Sequence, residues 1–309
     1  MGTTTMRLGG AALAAMAVLG AGPAAQAEGP FGLSLKGSFG EGGFSNYRPP
    51  ITNPVFNETP FITTELKPFY AYHDIPDDFI TNGGNVNVVG LQARLAITDR
   101  LGFIATTDGY SWVNFDSVLP DDDGFNDIAF GFKYALISDP ANGLIVTPGL
   151  RYTVPVGTIE TAGIELNGID NGYLNPFVSA AQISGPMQIQ GMVGAQIALG
   201  DSGTSNVLAS LHGDYEVFDR FFPALEMNLF VPFDGGDQLP NAAPFDNLTG
   251  ADILDVGSDD PETILTLGGG FRYGLTDNLM VGVGADVNVL QDEDHAYGWR
   301  FLTDLVVHF

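Results

Sequence analysis

The chain has 309 residues with no cysteine, and its 37 Asp and Glu against 11 Lys and Arg give a net charge of −26. No cysteine excludes a disulfide framework, a thiolate metal site and a lipoprotein anchor; 11 scattered cations do not build a phosphate-binding surface, so nucleic acid is not expected as a partner. Only 16% of residues are charged, while Gly and Phe number 41 and 22.

Residues 1–27 read as a signal peptide. Arg7 supplies a sparse positive start, Leu8 to Ala21 an apolar run of small residues, and Ala25-Gln26-Ala27 the small-x-small cleavage site. Beyond it no run reaches the roughly 18 apolar residues of a spanning helix. Membrane insertion would therefore require a closed barrel, in which every backbone group is paired. Residues 28–62 read as an irregular N-terminal segment, lying in the periplasm or entering the lumen, because Pro49, Pro50 and Pro54 discourage strand pairing.

From residue 63 to 309 the helical period fails and strict alternation takes over. It is cleanest in LMVGVGADVNVL, residues 279–290, where Leu279, Val281, Val283, Ala285, Val287 and Val289 share one face. The pattern recurs in twelve segments, at 63–74, 85–98, 101–112, 126–138, 143–155, 172–183, 186–199, 204–217, 220–232, 262–274, 279–290 and 296–309. The expected fold is all-β, a transmembrane antiparallel up-and-down barrel of 12 strands in the outer membrane. Counting FGLSLKGSFG (31–40) with a second strand hidden in 44–62 makes the alternative of 14.

Connections alternate in length: 98–100, 138–142, 184–186, 218–220 and 275–278 are short, and 74–85, 113–125, 156–171, 199–204, 233–261 and 291–295 are longer. Short turns on one rim and long loops on the other are the asymmetry of an outer-membrane barrel. Strands of about 12 residues rising about 3.3 Å each and tilted near 40° stand roughly 30 Å tall, enough to cross the apolar layer.

The apolar face of each strand should meet lipid and the polar face the lumen. Outward positions include Val89, Leu91, Phe130, Phe132, Leu150, Val193 and Leu267, with Phe103, Tyr134, Phe221, Phe271 and Tyr273 at the short-turn rim and Trp112, Tyr173 and Trp299 at the other. Inward positions collect Lys67, Arg94, Lys133, Arg151, Arg272 and Arg300, together with Glu65, Asp108, Asp127, Glu226, Asp286, Asp304 and His308. Two readings compete for this ladder: internal ion pairs that fill a narrow barrel, or a constriction of Arg94, Arg151, Arg272 and Arg300 that attracts anionic solutes.

Asp121, Asp123 and Asp127 offer hard oxygen ligands, but the distal bidentate Glu of a calcium loop is missing, so they are a weak calcium candidate and no metal or cofactor is expected. The acidic stretches around 121–124, 234–260 and 292–294 read as solvated loops that make the outer rim negative and suit the divalent cations bridging lipopolysaccharide. Ser210, His212 and Asp214 share one face of a strand; residues two apart lie about 7 Å from one another, too far for a triad, so no enzyme is expected. Gly268-Gly269-Gly270 reads as strand glycines easing curvature.

The chain ends on YGWRFLTDLVVHF (297–309). Trp299, Phe301, Leu305, Val307 and Phe309 should face lipid while Arg300, Asp304 and His308 face the lumen. Such a C-terminal aromatic strand resembles the signal read by the barrel assembly machinery, with Trp299, Phe301, Val307 and Phe309 carrying it.

FNDIAFGFKYALI (125–137) and LIVTPGLRYTVPVG (144–157) together resemble the paired-strand signature of the outer-membrane transporters grouped as the MetA-pathway phenol-degradation family. The matching positions are Asp127, Gly131, Lys133, Tyr134, Pro155 and Gly157; Val156 stands where that family commonly has Thr. The resemblance implies an outer-membrane transporter of aromatic or apolar compounds. Together with the inward cations it makes the leading expectation a porin-like channel for passive transport of small molecules, aromatic or anionic. The alternative is a non-conducting structural or adhesion barrel with acidic, cation-binding extracellular loops.

Overall fold

A computed structural model of the chain describes residues 43, 44, 47–250, 252, 254–291 and 293–309. The proposed signal peptide and most of residues 28–46 lie outside the described residues. The rest is all-β. Twelve strands run antiparallel in chain order: β1 Glu65–Ile75, β2 Gly84–Ala96, β3 Leu101–Phe115, β4 in three pieces (Asp122–Phe125, Ile128–Tyr134 and Ile137–Asp139), β5 Leu144–Val154 and β6 Tyr173–Ser184. They continue with β7 Met187–Ala198, β8 Ser205–Tyr215, β9 Phe221–Asp234, β10 Ile264–Gly274, β11 Leu279–Asn288 and β12 Trp299–His308. Each strand pairs with its sequence neighbours, and β12 closes on β1 through pairs from Glu65↔His308 to His73↔Arg300. Closure leaves no sheet edge, the condition for crossing a bilayer with strands.

The strand count is twelve, and the alternative of fourteen falls because 47–64 contains no strand. Alternation follows directly from the pleat, which turns successive side chains to opposite faces. In β12 the outward row Trp299, Phe301, Leu305, Val307 interleaves with buried Arg300, Asp304 and His308, and Phe309 follows exposed at 56%. On the outside Val193 and Leu225 are 61% and 76% exposed, members of a continuous apolar belt that water would not tolerate and lipid would cover. Aromatic pairs sit at both ends of the belt: Tyr110 with Trp112 and Tyr72 with Trp299 at the long-loop rim, Phe103 with Phe132 and Phe221 with Phe271 at the other.

One aromatic residue departs from its expected face. Tyr173, expected at the lipid rim, is 4% exposed, and its hydroxyl donates to Asp255 Oδ2 at 2.8 Å, because β6 presents its odd residues inward from its first position. A bulge between Leu91 and Ala93 shifts the β2–β3 register beside Asp108, whose side chain lies outside the described residues.

Inside, the barrel has two storeys. The lower, at the short-turn rim, holds residues 47–64, which are buried throughout. Over the upper fold parts of the long loops: Ile159, Leu166, Leu239, Leu248 and Leu254 join wall residues such as Phe69, Val88 and Leu302 in one apolar cluster.

Candidate functional site

Residues 47–64 enter by the short-turn rim, turn near mid-barrel and return to the same rim, so they plug the lumen without spanning the membrane. The turn is local chemistry. Asn53 takes positive φ (52°), its side-chain oxygen accepts from Phe56 N at 3.1 Å, and its carbonyl accepts from Asn57 N at 3.2 Å. At the rim Tyr47 and Phe61 pack at 4.6 Å between ring centroids, clasping the two limbs together.

A buried chain with no strand partner must still satisfy its backbone. Prolines remove four N–H donors, at 49, 50, 54 and 60, and wall side chains donate to the carbonyls of the same four residues. Arg272 Nε and Nη2 reach the oxygens of Pro49 and Pro50, Gln92 Nε2 reaches Pro54 at 2.6 Å, and Thr147 Oγ1 reaches Pro60 at 2.7 Å. The N–H groups of Ile51 and Thr52 each donate to Glu226 at 2.7 Å, and the Gln188 amide both accepts from Arg48 N and donates to Arg48 O. Lumen side chains thus replace a β-ladder.

The charges follow. Glu58, the one acid between residues 43 and 64, accepts two bonds from Arg94, at 2.9 and 2.7 Å, and one from Lys133 at 2.7 Å. Arg94 also reaches Glu65 at 3.0 Å. Burial works to raise the Glu58 carboxyl, and the attraction of Arg94 and then Lys133 outweighs it, holding the group well below the usual carboxylate range. Arg48 pairs with Asp214 at 2.7 Å, Arg272 with Asp304 at 2.7 Å, and Lys67 lies 3.8 Å from the same Asp304. In the upper storey Arg300 bridges Asp286, on the wall, and Asp252, in the loop, at 3.1 and 2.7 Å. The arginines expected as a ring are therefore held by separate partners, Arg94 and Arg272 among the plug contacts and Arg300 among the loops, and these three of the four are occupied by carboxylates.

Arg151 is the exception. It is 2% exposed, its Nη1 donates to Val55 O and to Thr106 Oγ1, and its Nε has no hydrogen-bond partner. The guanidinium lies 5.6 and 5.8 Å from the ring centres of Phe56 and Phe177. Gly149 makes the second contact possible: a Cβ there would stand 2.2 Å from the Phe177 ring. Arg151 borders a cavity of ≈ 110 Å³ between the plug tip and the overlying loops, with Val55, Phe56, Phe230, Leu166, Ile169 and Leu254 among its walls.

Other sequence candidates do not assemble. Asp121 accepts from Phe115 N at 2.9 Å, Asp123 from the Tyr110 hydroxyl, and Asp127 from Gly157 N and Gly168 N at 2.8 and 3.0 Å, so the three carboxylates point to different partners. Among the described residues no cluster of three or more His, Asp or Glu is placed to hold a metal. The acidic loops are not wholly solvated: Asp252 and Asp255 fold inward, Asp255 accepting from Tyr173, Thr204 and Gly257. His212 does meet Asp214, at 2.8 Å, because side-chain reach closes the 7 Å between their backbones, and it meets Glu226 at 2.7 Å on its other nitrogen. Both ring nitrogens are thus committed to carboxylates, and Ser210 instead lies 3.5 Å from Asn53. The inward glycines have a second use besides curvature: a Cβ on Gly284 would stand 2.9 Å from Ile51, so the wall is hollowed for the plug.

Sequence reasoning missed Arg48, Glu58 and the role of the prolines. The signal was present in RPPITNPVFNETP (48–60), where prolines recur and two opposite charges stand alone; only a known neighbour could say what they meet.

No protein-family model and no curated protein matches the sequence. Solved structures do. An outer-membrane channel from Pseudomonas putida F1 superposes with a TM-score of 0.53 at 14% identity, covering 85% of this chain and 100% of that one. The NanC porin follows at 0.49 and 9% identity, covering 80% of this chain and 99% of that one, and the KdgM porin at 0.43 and 10%, covering 79% and 99%. With the closed sheet and apolar belt, the first likeness defines the class: this chain is a twelve-stranded β-barrel of the outer membrane.

Proposed function

We propose that this barrel is a passive, porin-like channel for small molecules, with residues 47–64 as an internal plug that must shift for solute to pass. The observation that carries the reading is the plug's mode of attachment: it is held by side-chain hydrogen bonds and ion pairs around a cavity, and no ladder joins it to the sheet, so it can leave without opening the barrel. The resemblance of the 125–157 strand pair to MetA-pathway transporters agrees with it, as does the fold shared with an outer-membrane channel. Aromatic or anionic solutes are the candidates that this resemblance and the inward cations favour.

The filled lumen supports a second reading, a non-conducting structural barrel whose acidic loops bind cations or lipopolysaccharide. Planar-bilayer recording separates the two. A chain lacking residues 43–62 should conduct at least tenfold more than the full chain, which should open in brief events. Silence from both, with correct heat-modifiable folding, would favour the structural barrel.

The final strand is proposed as the contact for the assembly machinery, since Trp299, Phe301, Val307 and Phe309 line its lipid row. Removing Phe309 should lower the assembled fraction in membranes, and unchanged levels of folded barrel would reject that role.

A further inference from the structure

We infer that the cavity above the plug is a binding site for a short-chain monocarboxylate, held by Arg151 through its carboxylate. The inference rests on the channel reading for its biological meaning, while the site stands on its own geometry.

Charge selects the ligand's head. A buried guanidinium without an opposite charge is costly, because its donors are stripped of water. Among the described residues Arg151 makes no ion pair; it has a backbone carbonyl, a hydroxyl, and two aromatic faces. Glu58, its electrostatic neighbour, already gives both oxygens to Arg94 and Lys133. The other charges on the cavity wall are acids, and each is engaged: Asp252 by Arg300, Asp255 by Tyr173 and Thr204, Asp127 by two backbone amides, and Glu262 by His295 at 3.4 Å. One cation of the wall therefore remains for a ligand carboxylate, which would form the charge-assisted bonds it lacks.

Shape selects the tail. The lining is mostly apolar, from Phe56, Phe230, Leu166, Ile169, Leu254 and Ile264, so the body of the ligand is hydrocarbon. An apolar cavity of about 150 Å³ accepts benzene. At ≈ 110 Å³ this one suits an acid of three or four carbons, such as propionate or butyrate, better than an aromatic acid. The acids around the upper wall also disfavour a dicarboxylate, whose second charge would face them.

The test uses the full chain in nanodiscs, titrated by saturation-transfer NMR with butyrate, n-butanol, n-butylamine and benzoate. Butyrate should bind at least tenfold more tightly than the alcohol or the amine, and more tightly than benzoate. Arg151→Gln should erase the preference for butyrate over n-butanol, and Arg151→Lys should retain part of it. If either variant fails to fold, the four-probe comparison on the unaltered chain still decides. Equal binding of butyrate and n-butanol, a preference for the amine, or tighter binding of benzoate would overturn the assignment. Butyrate selectivity in a barrel that is silent in bilayers keeps the site and removes the channel. Conduction without butyrate selectivity does the reverse.

Discussion

The two storeys of the lumen solve the same problem in opposite ways. Below, the plug's carbonyls, its acid and its arginine meet polar wall side chains at fixed hydrogen-bond distances, with apolar clusters around Phe56 and Phe61 between them. Above, loops bring leucines and isoleucines over an apolar wall, and the charges there gather at two points, Arg300 with Asp286 and Asp252, and Asp255 with Tyr173 and Thr204. The lower storey is therefore specific, since each contact has a direction, and the upper is adaptable, since apolar contacts have none. A channel that must open at one level and admit a solute at another would divide its chemistry this way.

The lower storey is most sensitive at Glu58. Glu58→Ala leaves Arg94 facing only Glu65 and leaves Lys133 buried with no carboxylate, and loss of one member of a buried pair costs about 3–5 kcal/mol. We expect a lowered unfolding midpoint in urea together with longer open events in bilayers. An unchanged open probability would show that the plug does not depend on this pair.

Crowding the plug's seat should cost less. Gly284→Val places new carbons against Ile51, where even a Cβ would stand 2.9 Å away, and overpacking costs about 1–3 kcal/mol. The same two readouts apply, and a variant with wild-type midpoint and conductance would mean that the tip moves aside freely.

The upper storey is tested by Tyr173→Phe, which removes one donor of several to Asp255. A bond to a charged acceptor is worth about 1.5–3 kcal/mol, and the remaining donors from Thr204 and Gly257 should keep the loss near the lower end. Faster proteolytic cleavage within 235–263 is expected, with the plug unaffected. Equal sensitivity of plug and loop would mean that the storeys are coupled.

The smallest effect is that of acid. Because the Glu58 carboxyl titrates well below its unfolded value, its contribution is fully present above the ordinary carboxylate range and is lost only as pH falls through the depressed value. Conductance should therefore change little between pH 7 and pH 5. A stepwise opening inside that interval would show that Glu58 does not latch the plug.

Much of the barrel was legible in the residues themselves. LMVGVGADVNVL and GWRFLTDLVVHF announce strands because a period of two follows from the pleat, and alternately short and long connections announce the rims. Arg94, Lys133, Arg272 and Arg300 could be set inward by the same counting. Their partners could not, nor could the inward turn of Tyr173, because Arg94 meets Glu58 across 36 residues, Arg48 meets Asp214 across 166, and Arg272 meets Pro49 across 223. Such contacts have no period.

Twelve strands, the outward face of most of them and the rim that carries the long loops can be read from the pattern of residues along the chain. These are local consequences of backbone geometry repeated along the chain. Only the tertiary structure decided that the inward charges bind a plug, that Arg151 stands apart beside a cavity, and that two acidic loop residues turn inward. Those outcomes depend on which distant segments share the closed interior, where water is scarce and every buried polar group must be matched by whatever the fold brings beside it.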